Sequence, residues 1–425
     1  MMSLATDAPR GCTLKVDFEY PVELHDFFAD FPPAPEQRPI TFDMLSPKQR
    51  ELLNAFDNHA DRYTSVEKLV MSLEPKRNYV VHYRNLQRYV RLGMKVTNIH
   101  NVLWFDQRPW LKKYIDFNTV KRSQATTPFA KDFFKLMNNA MFGKTMENVR
   151  NRRKLELVTD RKRMIKLVAL PTFKSVTTIT NDLVAVENYQ TSVTMSKPDY
   201  VGLVTLENSK GTICDFHYGY IKVEYPGPLS TLLFSDTDSL CYRIRTRDVY
   251  ADMLAHSDEF DLSGYPSSHP IFKDKSREEV DVLRKKNKKV LGKMKDELDG
   301  FRMREFVGVR AKCYSFLVDE RDREGYFAGQ RCTMKNKGIN SAALKSQIVH
   351  NDYQRCFMES QRKFVEINSL RSYAHQIYSI RQVKLALVNF DDKRWLCEDG
   401  FAMLPHGHYR TTSESDPLTL PSASI

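Results

Sequence analysis

The chain has 425 residues, enough for two to four compact subdomains around a substantial core. Sixty-five Lys and Arg against 53 Asp and Glu give a net charge of +12, which favours a polyanionic partner. Seven scattered cysteines without a Cys-x-x-Cys pair argue against a structural zinc site or a disulfide framework, and no apolar run approaches the ~18 residues of a membrane span.

In chain order, Thr13 to Phe18 is strand-like and is followed by a Pro-rich run at 31 to 35. Residues 46 to 118 read as mixed helix and strand: Tyr79 to Tyr83 as a short strand, Gln87 to Leu92 as a helix stopped by Gly93. Two helices follow from Asp116. The second begins with Thr127 as cap, Pro128 in the first helical position and Asp132 in the first turn, and runs to about Arg150. A β-rich stretch over about 155 to 205 leads to a helix from about Ser209 to Glu224. A polar region at 245 to 290 precedes a strand pair at 304 to 318; 340 to 380 reads as helical, and Thr411 to Ile425 as a disordered Ser, Thr and Pro-rich tail. The N-terminus lacks a basic region followed by an apolar core, so a soluble intracellular protein is expected, with no membrane partner and with the nucleus as one admissible location.

The most informative stretch is Asp236-Thr237-Asp238-Ser239. Leu232 and Phe234 before it, and Leu240, Tyr242 and Ile244 after it, keep a period of two, so the tetrapeptide is the tip of a hairpin. Asp236 and Asp238, two apart, can point to one spot. Like charges that close call for a cation, and hard oxygen ligands on a rigid tip suit Mg²⁺ shared with substrate phosphates. The alternatives are a solvated acidic turn and a calcium loop; the latter fails because Cys241 holds its glycine slot and Arg247 its bidentate glutamate slot.

On the helix from Pro128, Phe129, Phe133, Leu136, Met137 and Ala140 form an apolar stripe that reads as core-facing. Opposite lie Lys131, Lys135, Asn139, Phe142 and Gly143. A point charge for a triphosphate, a ring to stack on a base and a bare backbone patch suit a nucleotide; docking on a neighbouring domain is the alternative. Gly143-Lys144-Thr145 is no P-loop, because the required first glycine is Asn138. In the run Val307 to Val318, Lys312 and Tyr314 would share one face of a strand, cation beside phenol, which suits a nucleic-acid backbone. Basic residues cluster twice: 13 against four acidic ones between Lys121 and Lys166, and again from Arg284 to Lys295.

Together these elements resemble family B DNA polymerases of the protein-primed branch found in viruses, organellar plasmids and self-synthesising (Maverick-Polinton) transposons. Lys135-Leu-Met-Asn-Asn139-Ala-Met-Phe142-Gly143 is similar to the family's second motif, Lys-x-x-x-Asn-Ser-x-Tyr-Gly; Phe234-Ser-Asp236-Thr-Asp238-Ser239 to its third, Tyr-x-Asp-Thr-Asp-Ser; and Lys312-x-Tyr314 to its downstream Lys-x-Tyr. Tyr79-Val-Val-His-Tyr-Arg, Asp215-Phe-His-Tyr and Leu404-Pro-His-Gly-His-Tyr also look like the virus and transposon members, and the similarity spans about residues 12 to 410. The resemblance implies an α+β right-hand polymerase truncated at the N-terminus: 1–115 partial palm with an insertion of the protein-primed type, 116–160 fingers, 161–318 palm with the acidic hairpin, 319–410 a helical thumb and 411–425 the tail. It implies template-directed addition of deoxynucleotides with two Mg²⁺ ions. Asp238 would be the principal metal ligand and Asp236 its partner. Lys135 would meet the triphosphate, with Lys121 or Arg122 as further contacts. Asn139, Phe142 and Gly143 would lie at the nascent base pair, and Lys312 and Tyr314 would hold the primer strand. Partners would be primer–template DNA, deoxynucleoside triphosphates and a terminal priming protein.

Phe142 and Phe234 stand where the family has tyrosine, and Ala140 where it has serine. The family's first motif, Asp-x-x-Ser-Leu-Tyr-Pro, which supplies the other bridging Asp, is not found; Asp17-Phe-Glu-Tyr20-Pro21 is similar but has the wrong spacing. No exonuclease portion is recognised. The expectations are therefore a DNA-directed DNA polymerase, or the C-terminal piece of one, with an incomplete two-metal site. The alternatives are a catalytically inactive nucleic-acid-binding relic and a scaffolding protein with an accidental acidic hairpin.

Overall fold

The computed structural model describes residues 2–55, 63–298, 300–321, 327–373 and 376–411. Of the expected tail only Thr411 is among them; 412–425 lie outside the described residues.

Alternation of Cys12, Leu14, Val16 and Phe18, all buried, makes β1 (Arg10–Glu19) the centre of the first unit. Then come α1 (His25–Phe28), β2 (Glu36–Pro39), α2 (Pro47–Ala55), β3 (Glu67–Val70), β4 (Lys76–His82), α3 (Tyr83–Arg91) and β5 (Lys95–Asp106). β1 lies between β4 and β5, both antiparallel to it, while β2 pairs with β3. Tyr83, Leu86 and Tyr89 of α3 pack on the β1 core with Cys214 and Tyr218 from much later in the chain. Gly93 ends α3 as expected, with φ +98°, although the helix starts earlier, at Tyr83.

The next unit holds α4 (Lys112–Gln124), α5 (Pro128–Thr145), β6 (Lys154–Val158), α6 (Arg161–Val168), β7 (Phe173–Thr180) and β8 (Leu183–Asn188), with strand order β6-β8-β7. Thr127 caps α5, its Oγ1 accepting the Ala130 N–H at 3.2 Å, and Pro128 opens it; Asp132 lies past the first turn, and the helix stops at Thr145 rather than Arg150. The expected core stripe is a correction: Phe129 is 80% and Leu136 61% exposed. The less exposed positions include Phe134, Met137, Asn138, Met141, Phe142 and Thr145, where Tyr114 Oη donates to the Met137 carbonyl and the Asn118 amide to Asn138 Oδ1 at 2.9 Å. This helix is apolar on most sides, so periodicity alone does not choose the packed face; the buried Asn118 marks it through its hydrogen bond to Asn138.

The stretch at 155 to 205 is only partly β: the long helix starts at Asp199, not Ser209. It comprises α7 (Asp199–Phe216), a π turn over His217–Ile221 and α8 (Lys222–Glu224), and leads into β9 (Ser230–Asp236) and β10 (Ser239–Ile244). The polar region beyond has its own core, with Phe260, Leu262, Tyr265, Ile271 and Phe272 buried between α9 (Val249–Ala255) and α10 (Arg277–Lys286).

The expected strand pair is β11 (Met303–Arg310) and β12 (Cys313–Arg321), joined by β13 (Phe327–Asn336) in the order β11-β12-β13. Helices α11 (Ser341–Gln347) and α12 (His350–Glu359) follow, the latter ending at Ser360 with φ +54°. Beyond them the helical expectation fails: β14 (Lys363–Tyr373) and β15 (Gln376–Leu387) form an antiparallel hairpin, so a wholly helical thumb is also corrected. Val365 and Ile367 turn inward while Phe364, Glu366 and Asn368 turn out, a period of two that the interspersed charges obscured. Finally β16 (Trp395–Leu396) and β17 (Met403–Leu404) precede a strap that returns to the first unit. There the Leu73 N–H donates to the His406 carbonyl at 2.8 Å and the Tyr409 N–H to His25 Nδ1 at 3.0 Å. At Gly407, φ +80°, a Cβ would stand 2.6 Å from the Glu74 nitrogen, so only glycine passes. No described helix is long and apolar enough to cross a membrane.

Candidate active site

The acidic tip is where the sequence places it. Asp236 pairs with Ser239, leaving Thr237 and Asp238 as the loop. The Asp238 N–H donates to the Asp236 carbonyl at 2.7 Å, and Thr237 between them has φ +58°. A β-branched residue there is a rare conformation, and a three-residue turn of this hand is strained. Asp238 is therefore in the turn, not on extended backbone as the two-apart argument assumed. Ser239 Oγ donates to the Asp236 carbonyl at 3.1 Å and braces the tip. Backbone strain held by surrounding structure is a feature that clusters at functional sites.

A second hairpin meets this one. Lys312 occupies the turn between β11 and β12, with φ +57°, rather than a strand, so it does not share a strand face with Tyr314. The turn aims its ammonium at the tip, where Nζ donates to both Asp236 oxygens at 2.7 and 2.9 Å. The Tyr314 ring stacks on Phe234, centroids 4.5 Å apart and planes within 17°, and Phe306 lies against Phe234 from 5.7 Å. Phe234 thus packs against two rings of the second hairpin. Burial, then the Asp236 charge, pushes the Tyr314 phenol upward. The Asp238 carboxylate is exposed and has no hydrogen-bond or ion-pair partner among the described residues.

Behind the hairpin, a support escaped the sequence reading. His217 Nδ1 pairs with the Tyr242 hydroxyl of β10 at 2.8 Å, with the rings stacked 5.9 Å apart. His217 opens the π turn, Tyr218 donates to the Phe31 carbonyl at 2.6 Å, and Lys222 pairs with Asp30 at 2.6 Å. The widened turn re-aims these side chains, and such turns are frequent at functional sites. The only available signal was Asp215-Phe-His-Tyr; nothing in a helical period announces an inserted residue.

Burial holds His217 at a pKa of about 4, and does the same for His82 near Arg84, Arg88 and Glu207 and for His408. For His408 burial outweighs the Asp26 carboxylate 3.3 Å away. All three are neutral when folded and gain protons on unfolding, so the unfolded chain binds more protons between pH 6.5 and about 4. Stability should fall as pH drops through that window, by about 1.4 kcal/mol per pH unit for each histidine, and be indifferent to them above it. Urea titrations at pH 7, 6 and 5 read this directly. An unchanged midpoint would contradict it.

Lys131, Lys135, Asn139 and Gly143 are exposed on α5 and Phe142 is half-buried; a Cβ at Gly143 would meet nothing within 4 Å. Neither Lys135 nor Asn139 has a hydrogen-bond partner among the described residues. The two basic clusters, far apart in sequence, meet: burial, then Arg122, Lys288 and Lys131, depress the Lys289 ammonium. Lys289 has φ +60°, its N–H donating to Asp261 at 3.0 Å, while the Asn287 amide donates to the carbonyls of Ser257, Asp258 and Phe260. Lys121 lies 5.7 Å from the Phe117 ring.

Asp17 is spent elsewhere. It accepts the Asn78 N–H at 2.6 Å and faces His100 Nε2 at 2.8 Å, two bonds that lower its pKa. No group of three or more His, Cys, Asp or Glu suited to a metal occurs among the described residues. Asp236 and Asp238 could hold one Mg²⁺ shared with phosphate oxygens, but this donor set does not fit a two-ion centre.

No family model and no curated protein matches the chain. Among solved structures it is similar to Phi29 DNA polymerase complexed with primer-template DNA, with 12% identity and a TM-score of 0.48. It is also similar to the ternary complex of that polymerase with primer-template DNA and incoming nucleotide substrates, with 12% identity and a TM-score of 0.49. Each match covers 90% of this chain and 52% of the other, so the chain spans about half the length of the structures it matches.

Proposed function

We propose that this chain is the polymerase portion of a DNA-directed DNA polymerase of the protein-primed family B type. One observation carries the reading: a strained Asp-Thr-Asp tip meets a Lys-x-Tyr from another hairpin, 76 residues away, through a bidentate ion pair and a ring stack. In this reading 116–160 is the fingers, 161–318 the palm, 319–410 the thumb and 1–115 a partial palm with its insertion. Lys135, helped by Lys121 and Arg122, would hold the triphosphate; Asn139, Phe142 and Gly143 would face the base pair. Lys312 and Tyr314 would hold the primer strand, and Asp236 and Asp238 would take Mg²⁺. The nearness of Arg122 and Lys131 to Lys289, with Phe117, Phe129 and Phe133 exposed on the same two helices, supports a nucleic-acid partner, since cations track phosphates and rings stack on bases. A priming protein would be a further partner.

The second reading, an inactive relic that binds nucleic acid, is favoured by the short donor set at the tip. A ternary-complex assay separates the two. With Mg²⁺ and a primer–template, the deoxynucleotide complementary to the template should slow DNA release under a salt challenge at least about tenfold more than a mismatched one, a difference of about 1.4 kcal/mol. Asp238→Asn should remove the discrimination and spare DNA affinity. Equal effects of all four nucleotides would end the template-directed reading and leave the relic.

A further inference from the structure

Positive charge on the Lys312 turn continues away from the acidic tip into a cavity of about 310 Å³. Five cations line it: Lys68, Arg310, Lys312, Lys337 and Lys393. Separate elements bring them together. Arg310 ends β11, Lys312 sits in the next turn, and Lys337 follows β13 with its N–H donating to the Lys312 carbonyl at 3.1 Å. Lys393 follows β15, and Lys68 lies on β3. Two carboxylates share the wall, and both serve it internally. Asp392 is buried against Lys68 and accepts from the Tyr63 hydroxyl at 2.6 Å; Asp391 accepts the N–H of Lys393 at 3.0 Å and of Ala311 at 3.4 Å. Lys337 and Lys393 have no acidic partner among the described residues. With Lys312 paired to Asp236 and Lys68 to Asp392, Arg310, Lys337 and Lys393 are the cations left to draw an anion, and lysine is a point charge suited to phosphate.

We propose that this cavity is a phosphate-binding site distinct from the Asp236–Asp238 tip, and that its occupant is a backbone phosphate of a nucleic-acid strand lying across the Ala311–Lys312 turn. The choice of occupant rests on the nucleic-acid reading; free pyrophosphate has the same chemistry.

The full chain and its Lys337→Gln/Lys393→Gln variant are titrated with a primer–template duplex over a range of salt, and separately with pyrophosphate. The variant should bind DNA about tenfold more weakly, with a slope of log affinity against log salt shallower by about one. Lys337→Arg/Lys393→Arg should restore the slope, which a folding defect would not predict. If the wild type binds DNA and the Gln variant keeps both slope and pyrophosphate affinity, the cavity proposal is overturned while the polymerase reading stands. Loss of pyrophosphate binding with an unchanged DNA slope upholds the phosphate site and overturns its DNA occupant. If the wild type binds no DNA, the nucleic-acid reading falls, and loss or retention of pyrophosphate binding in the Gln variant upholds or overturns the site.

Discussion

Raising salt from 50 to 200 mM should weaken binding of a primer–template duplex by roughly 10³–10⁵-fold, as for proteins that neutralise about 6–10 phosphates. The basis is electrostatic. Burial depresses the Lys289 ammonium first, and Arg122, Lys288 and Lys131 lie near enough to add a repulsion that a polyanion would relieve. Each phosphate neutralised releases counterions, so the logarithm of affinity falls linearly with the logarithm of salt. Lys288→Gln/Lys289→Gln should flatten the slope by about two without changing sequence preference. Fluorescence anisotropy at four salt concentrations suffices. Absence of binding at 50 mM, or affinity indifferent to salt, would remove the polymerase and relic readings together.

Primer extension by this chain alone should run at least about 10²-fold below the roughly 1–10³ s⁻¹ of ordinary enzyme turnover. Stabilising both the attacking and the leaving oxygen with two ions needs carboxylates converging from more than one strand. Here one hairpin supplies Asp236 and Asp238, Lys312 already holds both oxygens of Asp236, and Asp17 is committed to Asn78 and His100. The assay uses purified chain, Mg²⁺ and four deoxynucleotides, with Asp238→Asn as control. Fast extension abolished by the control would refute the expectation and show that another carboxylate joins the tip.

The acidic hairpin was legible because its strands alternate cleanly and its turn is polar. So was the start of α5, where Thr127 and Pro128 act locally. What depended on tertiary contact was not. Lys312 looked like a strand residue because three letters cannot show that the backbone reverses there with positive φ. The packed side of α5 was decided by Asn118, 20 residues away, and β14 and β15 hid their alternation behind charges. The nearness of Lys131 to Lys289 and the His217–Tyr242 brace belong to the fold, not to any local pattern.

The β14–β15 ribbon has a consequence for the chain in solution. Among the described residues it is a two-stranded sheet, so each strand has one edge outside the ladder, bonded at Glu366 by the Gln347 side chain and at Ala386 by the Asn336 amide, and its outer face exposes Phe364, Leu370, Ile377 and Val383. Long apolar edges of this kind invite strand addition by another copy, the route to aggregation. What opposes it is the charge spaced along the ribbon: Arg371, Lys384, and Glu366 paired with Arg381. Electrostatic protection of exposed charges fades within a Debye length that shrinks from about 30 Å at 0.01 M salt to about 3 Å at 1 M. The salt that strips a nucleic acid from the basic clusters therefore also lowers the barrier between ribbons, and colloidal stability and ligand release pull the working conditions in opposite directions.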